Sequence, residues 1–430
     1  MSIDTFDPRF PGSSVGWDAF YESGTQALGS VGWGLRPRRS GRLRCLASCA
    51  HRDNAVPQRM SNVLSRLNPS LASLPVYVPG RPIEEVAREH GLDPSGIIKL
   101  ASNENPFGPS PKALEAMETV LRQLHLYPDG SASVLKRALA EAAGVRPEHL
   151  ILGNGSNEIL EFVGHAMMRP GVEVVVPEFC FAVYPIVTAL FGATLVTVPA
   201  VDFGADIDGL IRAVTPRTGV LFLANPNNPT GTRTSREDVL RLLREVPQDV
   251  LIVMDEAYIE FLDDPVDLVP EILSGTRENL LLCRTFSKIF GLAGLRLGYG
   301  IGSPALISAF EKVRQPFNIN SIAQAGAIAA LKDTAHQART RDNNRTGVEY
   351  YQSAFRAMGL PYVPSHANFV LVKTGRGAAV FAALQQRGVI TRPMGGYGLP
   401  DWLRISVGTP AENARCLTAL REVLAAMPAA

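Results

Sequence analysis

A lysine that could act as a nucleophile follows a strongly apolar segment in the second half of the chain. Leu280–Cys283 is apolar at every position, which predicts a strand buried on both faces of a parallel sheet. Lys288 follows this strand and has two hydroxyl residues before it and an arginine after it: Thr285, Ser287 and Arg296. An amine carried from a buried strand into a crevice loses hydration, deprotonates more easily and can form a Schiff base with a carbonyl. Taken alone, the pattern also fits an ordinary solvated lysine.

Two groups of residues could bind a phosphate. The hydroxyls near Lys288, together with Arg296, form one of them. The other is Gly153–Glu158, which joins a predicted strand to a helix whose first residues include Ser156 and Asn157. Its glycines allow a tight turn, and a helix N-terminus presents free N–H groups. A simple helix cap or a dinucleotide-binding turn are the alternatives, although Glu158 replaces the third glycine of a dinucleotide motif.

Polar side chains also follow two other apolar segments. Gly219–Ala224 leads into Asn225–Gly231, where prolines and a glycine constrain the turn around Asn228. Val250–Met254 leads into Asp255, with Tyr258 three residues later. An acid at the end of an apolar strand is costly unless a cation or a donor meets it. Asp255 is therefore either a local helix cap or a buried carboxylate that faces a ring nitrogen of a ligand.

The arrangement of the elements predicts how these residues meet. Apolar segments alternate with amphipathic ones such as Asn157–Met168 and Arg236–Glu245, which predicts an α/β fold with a mainly parallel, doubly wound sheet. The predicted strands are 150–152, 172–176, 194–198, 219–224, 250–254, 280–284 and 296–301. Ligands bind beyond the carboxyl ends of such strands. A lysine, a carboxylate, amide and phenol donors and a phosphate cradle at one sheet edge together predict a pyridoxal phosphate site.

The second part of the chain has a different pattern of predicted helices and strands. Long helices are predicted at 321–332 and about 336–358, followed by short strands at 368–373, 389–392 and 402–407 and a last helix near 411–426. These features predict a smaller α+β domain. We expect a large cofactor-binding domain at 105–314, a small domain at 315–430, and an arm at 60–104 that joins the small domain. Residues 1–59 are rich in Gly, Ser and Arg and lack apolar periodicity, so we expect a disordered extension or sequence upstream of a true start at Met60.

Composition excludes several partners. With 46% hydrophobic residues, 19% charged residues and a net charge of +1, the composition argues against a nucleic acid or a membrane surface as the main partner. No apolar run reaches the ~18–20 residues needed to cross a bilayer. The five cysteines are odd in number and scattered, which is typical of reduced thiols and predicts a cytoplasmic protein. Cys45, Cys49 and His51 resemble half of a metal site, but no second half lies nearby, so we expect no bound metal.

From about Leu100 onward, the chain resembles aminotransferases of the aspartate-aminotransferase fold, also called fold-type I pyridoxal phosphate transferases. It resembles most closely their histidinol-phosphate aminotransferase branch. The matching motifs are Ala101–Ser110, Tyr127–Gly130, Asn225–Gly231, Asp255–Tyr258, Lys288–Arg296, Arg392–Pro400 and Trp402–Gly408. Residues 1–59 lie outside this resemblance.

The resemblance implies a role for each site residue. Lys288 would hold the cofactor and move a proton on the substrate, and Asp255 would face the pyridine nitrogen. Asn228 and Tyr258 would donate to the cofactor's phenolate oxygen, and Phe181 would stack on the ring, where many relatives have tyrosine. The residues that would hold the phosphate are Ser156, Asn157, Thr285, Ser287 and Arg296. Arg404 would bind a substrate carboxylate or phosphate, and Tyr127 would reach the phosphate of a neighbouring subunit, which implies a homodimer.

The implied reaction is transamination between histidinol phosphate and 2-oxoglutarate, in histidine biosynthesis. An aromatic amino acid aminotransferase would use the same residues, because an α-carboxylate also suits Arg404. A decarboxylase or lyase of the same fold would share the cofactor residues. A nicotinamide-dependent oxidoreductase would leave Lys288, Asp255 and Asn228 unexplained, and a cofactor-binding regulator would need a DNA-binding module that residues 1–59 do not suggest.

Overall fold

The computed structural model of the chain describes residues 63–74 and 79–427. The strands in chain order are β1 (Ile98–Lys99), β2 (Leu150–Gly153), β3 (Glu173–Pro177), β4 (Thr194–Val198), β5 (Thr218–Ala224), β6 (Leu251–Asp255), β7 (Leu280–Thr285), β8 (Gly298–Gly302), β9 (Tyr362–Val363), β10 (Phe369–Lys373), β11 (Val389–Ile390), β12 (Arg392–Pro393) and β13 (Trp402–Ser406).

The α-helices are α1 (Ile83–His90), α2 (Pro111–Val120), α3 (Ser133–Ala143), α4 (Gly155–Met167), α5 (Val183–Leu190), α6 (Ile207–Arg212), α7 (Arg236–Glu245), α8 (Val269–Leu273), α9 (Pro304–Glu311), α10 (Ser321–Lys332), α11 (Thr334–Ala357), α12 (Gly377–Gln385) and α13 (Pro410–Ala426). None of the helices in this described part is long and apolar enough to cross a membrane.

Seven strands form the central sheet in the order β2-β8-β7-β6-β5-β3-β4. The pairs from β7 to β4 are parallel, and β8 runs antiparallel to both of its neighbours. The prediction of a mainly parallel sheet is therefore confirmed. The last predicted strand begins at Gly298 rather than at residue 296, because Arg296 has a left-handed backbone with φ 54°, which cannot continue a strand.

Alternating apolar side chains cover both faces of this sheet. On β7, Leu280 and Leu282 pack into the core on one face, whereas Leu281 and Cys283 pack into the core on the other. All four are fully buried, as predicted for Leu280–Cys283. Burying a side chain of this size stabilises the fold by about 1.5–3 kcal/mol. The sheet therefore holds the residues at its strand ends on a rigid support.

The C-terminal part forms a smaller α+β layer. Its antiparallel sheet has the order β12-β13-β10-β9, and α11 and α13 supply Tyr351, Phe355 and Leu420 to the core beneath it. β1 pairs in parallel with β11, so the chain just before the Ala101–Ser110 motif lies in this layer. Helix α10 packs instead with α2 and α3 against the central sheet. The domain boundaries stay predictions.

Candidate active site

The predicted site residues meet in one cavity of about 490 Å³ at the carboxyl edge of the central sheet. The last residues of β5, β6 and β7 line this cavity: Ala224, Asp255 and Thr285. Every predicted site residue except Tyr127 also lines it, namely Ser156, Asn157, Phe181, Asn228, Asp255, Tyr258, Thr285, Ser287, Lys288, Arg296 and Arg404. The sheet edge thus brings together residues that are far apart in the sequence.

Lys288 points an amine into the cavity. Its Nζ donates to the carbonyl of Ser102 over 3.1 Å and lies 5.6 Å from the centre of the Tyr258 ring. Burial lowers the pKa of Lys288 to about 8, and the nearby Arg404 guanidinium acts in the same direction. Near neutral pH, a much larger fraction of this amine than of an ordinary lysine is therefore unprotonated and able to react with a carbonyl.

The turn after β7 fixes the backbone around the lysine. The amide of Ser287 donates to Thr285 Oγ1 over 3.1 Å, and the amide of Phe286 donates to the Leu297 carbonyl. From outside the turn, Asn105 Nδ2 donates to the Ile289 carbonyl over 2.8 Å. The hydroxyls next to Lys288 are thus held at the cavity wall by backbone contacts.

Asp255 is a buried carboxylate at the end of β6. Its Oδ2 accepts from the Tyr184 hydroxyl over 2.7 Å, and its Oδ1 accepts from the Ala257 amide over 3.2 Å. Burial raises the pKa of Asp255, while both donors and the charge of Lys288 oppose this rise. Among the residues that the structure describes, no cationic side chain forms an ion pair with this carboxylate, so a protonated ring nitrogen in the cavity would stabilise it.

Asn228 and Tyr258 also line the cavity. Asn228 Oδ1 accepts from Arg404 Nη1 over 2.5 Å, and Arg404 Nη2 donates to the Ala101 carbonyl over 2.8 Å. The Tyr258 hydroxyl accepts from Asn103 Nδ2 over 2.9 Å. Burial raises the pKa of Tyr258 to about 12, so its phenol stays protonated and can donate a hydrogen bond.

The phosphate-binding region has space that only glycine leaves open. Gly155 opens α4 with φ 72°, and a Cβ placed there would lie 2.6 Å from Arg296 Nη2. A Cβ on Gly298 would lie 2.3 Å from the Ser156 amide nitrogen. Glu158 does not face the cavity, because its Oε2 accepts from the Asn154 amide over 2.7 Å and so caps the helix. Free N–H groups, hydroxyls and a guanidinium surround this space, and such a set fits a phosphate dianion.

Tyr127 lies outside the cavity and is 83% exposed. Its ring stacks on Phe317 with a centroid distance of 4.8 Å. Gly130 leaves room for this pair, because a Cβ there would lie 3.0 Å from Phe317 Cδ1. Tyr127 therefore does not contribute to the cavity formed by the same chain.

Several residues that line or support the cavity were missed in the sequence. Tyr184 was given no role, although its ring lies flat against Phe222 at 4.6 Å and its hydroxyl donates to the Asp255 carboxylate. Ser102 and Asn103 belong to a matched motif, but their partners lie more than 150 residues away. Arg392 and Tyr397 also line the cavity. No pattern of local spacing could have revealed these long-range contacts.

Other predictions concern residues that the structure does not describe. Residues 1–59, including Cys45, Cys49 and His51, lie outside the described part of the chain. Within that part, no group of three or more His, Cys, Asp or Glu side chains could hold a metal ion.

Known proteins of the same architecture are similar over most of the chain. The sequence profile of aminotransferase class I and II matches residues 95–420. The histidinol-phosphate aminotransferase of Akkermansia muciniphila is 49% identical over 84% of this chain and 100% of that protein. Histidinol-phosphate aminotransferase 2 of Pseudomonas fluorescens Pf0-1 is 48% identical over 85% of this chain and 99% of that protein.

Solved structures give the same result. The crystal structure of histidinol-phosphate aminotransferase from Sinorhizobium meliloti in complex with pyridoxal-5'-phosphate has a TM-score of 0.78 and 31% identity, covering 85% of this chain and 99% of that one. Aspartate aminotransferase from Thermus thermophilus with maleate has a TM-score of 0.72 and 26% identity, covering 83% and 99%. This chain therefore belongs to the class I and II aminotransferase family, in its histidinol-phosphate aminotransferase branch.

Proposed function

We propose that the enzyme transfers an amino group between histidinol phosphate and 2-oxoglutarate, yielding imidazole-acetol phosphate and glutamate in histidine biosynthesis. The observation that carries this proposal is a single cavity that combines Lys288, Asp255 and two arginines, Arg392 and Arg404. Together these supply an amine, a buried carboxylate and cations for anionic substrates.

The cavity residues fit pyridoxal phosphate, the cofactor of this family. When bound, this cofactor withdraws electrons from the substrate Cα and carries the amino group between the two substrates. Asp255 would bind the ring nitrogen, and Asn228 and Tyr258 would bind the phenolate oxygen. Phe181 would cover one face of the ring. The phosphate would be held by Ser156, Asn157, Thr285, Ser287 and Arg296.

The protein's own acid–base group is Lys288. Because its pKa is lowered to about 8, the amine can take a proton from the substrate Cα and return it without a large penalty near neutral pH. The Ser102 carbonyl, 3.1 Å from Nζ, holds the amine at the cavity wall. Lys288 would thus be both the attachment point and the base.

Two arginines would bind the anionic ends of the substrates. Arg392 and Arg404 are paired opposite one another on β12 and β13, so their side chains leave the sheet on the same face. Histidinol phosphate carries a phosphate and glutamate carries carboxylates, and guanidinium groups bind both kinds of anion. A cation pair at one site allows the two substrates to bind in turn.

An aromatic amino acid is the second candidate amino donor. The cavity wall contains Phe181, Val183 and Ile186, an apolar surface that would accept a phenyl ring as well as an imidazole. The test is kcat/KM for histidinol phosphate, phenylalanine and tyrosine with 2-oxoglutarate under one set of conditions. A preference for either aromatic amino acid would overturn the substrate assignment but not the transamination.

We further propose a homodimer in which Tyr127 reaches the phosphate of the neighbouring subunit. The exposed Tyr127–Phe317 stack lies in a region with other exposed apolar side chains, including Leu124, Leu126 and Val134. Such a surface is typical of one covered by a partner. We place the enzyme in the cytoplasm, a proposal supported by free, buried thiols at Cys180, Cys283 and Cys416.

A further inference from the structure

Asn103 is a buried residue with an unusual backbone and a direct contact to Tyr258. Its side chain is 1% exposed, and its φ of 57° lies in the left-handed region that few residues other than glycine adopt. Its Nδ2 donates to the Tyr258 hydroxyl over 2.9 Å. A phenol oxygen that accepts one hydrogen bond from the protein still has its own hydrogen to donate.

Ser406 determines which way round the Asn103 amide lies. Ser406 Oγ accepts from the Asn103 backbone amide over 2.9 Å and donates to Asn103 Oδ1 over 2.8 Å. If the side-chain amide were turned over, Ser406 Oγ would face two donors, and its own hydrogen would have no acceptor within the described part of the chain. A buried hydroxyl without an acceptor is unfavourable. Only the observed orientation uses all these hydrogens, and it presents the NH₂ group to Tyr258.

The same short segment is held on either side of Asn103. The Ala101 carbonyl accepts from Arg404, and the Ser102 carbonyl accepts from Lys288. The Asn103 carbonyl accepts from Asn368 Nδ2 over 2.9 Å, at the start of the small antiparallel sheet. Asn103 is therefore fixed by residues from both layers of the fold, and its amide has little freedom to turn.

We propose that Asn103 is a positioning residue that directs the Tyr258 hydroxyl hydrogen into the cavity. By presenting an N–H donor to one lone pair of the phenol oxygen, Asn103 prevents this hydroxyl from donating to the Asn103 side chain. The hydrogen is then available for the phenolate oxygen of the cofactor. This inference rests on the proposed role of Tyr258.

A test of this proposal must take account of the other charged and titratable groups near the Tyr258 phenol. Arg404, Asp255 and Tyr397 act on it electrostatically, and Lys288 Nζ lies 5.6 Å from its ring. None of these four side chains is itself altered by a substitution of Asn103. A donor to the phenolate oxygen stabilises the negative charge that remains when the link between Lys288 and the cofactor loses its proton. Loss of this donor therefore raises the pH at which the visible absorbance of the holoenzyme changes.

The informative substitution is Asn103→Asp. Aspartate has nearly the same shape and tolerates a left-handed backbone, but its carboxylate only accepts hydrogen bonds. It would draw the Tyr258 hydrogen away from the cavity. We expect the midpoint of the spectral pH titration of the holoenzyme to rise by about one pH unit, which is the effect of one lost hydrogen bond to a charged group.

A double-mutant cycle separates this effect from the added charge. In a Tyr258→Phe background, Asn103→Asp should raise the midpoint much less, because no hydroxyl remains to be turned. Asn105→Asp is the matched control, since Asn105 is a buried amide of the same segment that donates to Ile289 and Thr340 and not to Tyr258. Its effect should be the same in both backgrounds.

Each result has a defined meaning. Equal shifts for Asn103→Asp with and without the Tyr258 hydroxyl, or no shift at all, would overturn the role of Asn103. If Tyr258→Phe alone leaves the midpoint unchanged, the proposed role of Tyr258 fails instead. Should Asn103→Asp not fold, Ser406→Ala tests the same point. It releases the Asn103 amide and should give a smaller rise that disappears in the Tyr258→Phe background, and an undiminished rise there would contradict the proposal.

Discussion

The Tyr184 hydroxyl donates to Oδ2 of Asp255 over 2.7 Å, and both side chains are buried. The Tyr184 ring is fixed in turn by its parallel stack on Phe222. Burial raises the pKa of Asp255, whereas this donor partly restores the ionised form. The carboxylate is thus held in position at the cavity, where a cationic group of a ligand would stabilise its ionised form.

This arrangement predicts a conflict between stability and activity at Asp255. Because its pKa is raised above the unfolded value, the folded state binds the proton more tightly. The free energy of unfolding therefore decreases as pH rises from the pKa of Asp255 in the unfolded state to its higher pKa in the folded state. Asn at this position has no charge to bury. We expect Asp255→Asn to raise the Tm of the cofactor-free enzyme at pH 7 by a few degrees and to lower kcat by ~10²–10³.

Differential scanning calorimetry and a transamination assay on the same samples check this prediction. Asp249→Asn is the matched control, because Asp249 is exposed just before the same strand. It should leave both Tm and kcat unchanged. A lower Tm for Asp255→Asn would show that the carboxylate stabilises the fold.

A second prediction concerns the amine of Lys288. Since burial and Arg404 lower its pKa to about 8, the rate at which cofactor-free enzyme takes up pyridoxal phosphate should increase with pH around that value. Arg404→Gln removes one of these influences and should move the midpoint upward. Stopped-flow absorbance at a fixed cofactor concentration measures both. A wild-type midpoint near 10.5 would contradict the burial of the amine.

Replacing the lysine separates attachment from binding. Lys288→Ala should abolish transamination and the absorbance of the attached cofactor, while the phosphate-binding residues still hold some pyridoxal phosphate. Equilibrium dialysis measures this residual binding. If Lys288→Ala binds no pyridoxal phosphate at all, the residues around Gly155 and Arg296 do not hold the phosphate independently of the lysine.

The sequence was informative where chemistry and position were linked within one segment. The buried strand before Lys288 and the acid ending β6 could be predicted because apolar runs identify strands, and parallel strands deliver their ends to one edge. Asn103 and Tyr184 could not be predicted. Their roles depend on partners 155 and 71 residues away in the sequence, and only the packed fold brings these partners within hydrogen-bonding distance. Arg296 was identified as a site residue, but its left-handed backbone delayed the start of β8.

The proposed dimer predicts complementation between two defective subunits. Lys288→Ala and Tyr127→Ala proteins should each be impaired, but a mixed dimer has one site that combines an intact Lys288 with an intact Tyr127 from the other chain. Random mixing should then restore roughly a quarter of wild-type activity. The assay follows activity after the two proteins are unfolded together and refolded. A mixture no more active than its components would place Tyr127 outside the partner's site.

The N-terminal prediction is tested by truncation. A chain that starts at Met60 should fold and turn over like the full chain, because residues 1–59 lack the apolar periodicity needed to join a core. Size-exclusion chromatography and kcat/KM compare the two proteins. Loss of soluble protein or of activity on truncation would show that this segment contributes to the body of the enzyme.

The two arginines on β12 and β13 predict how the substrates are distinguished. Arg404 is 7% exposed and already bonded to Asn228 and Ala101, so it is rigid and lies next to the proposed cofactor residues. The phosphate of histidinol phosphate and a carboxylate of glutamate would bind there in turn, and Arg404→Ala should weaken both substrates by roughly 10- to 100-fold in kcat/KM.

Arg392 lines the same cavity as Arg404 and is less buried. A phosphate presents more oxygens than a carboxylate and can contact Arg392 in addition to Arg404, so Arg392→Ala should reduce kcat/KM for histidinol phosphate more than for glutamate. Arg392→Lys should recover only part of this loss, since an ammonium cannot match the two-pronged geometry of a guanidinium on a phosphate. An equal loss for both substrates in Arg392→Ala would instead show that Arg392 binds the phosphate and the carboxylate alike.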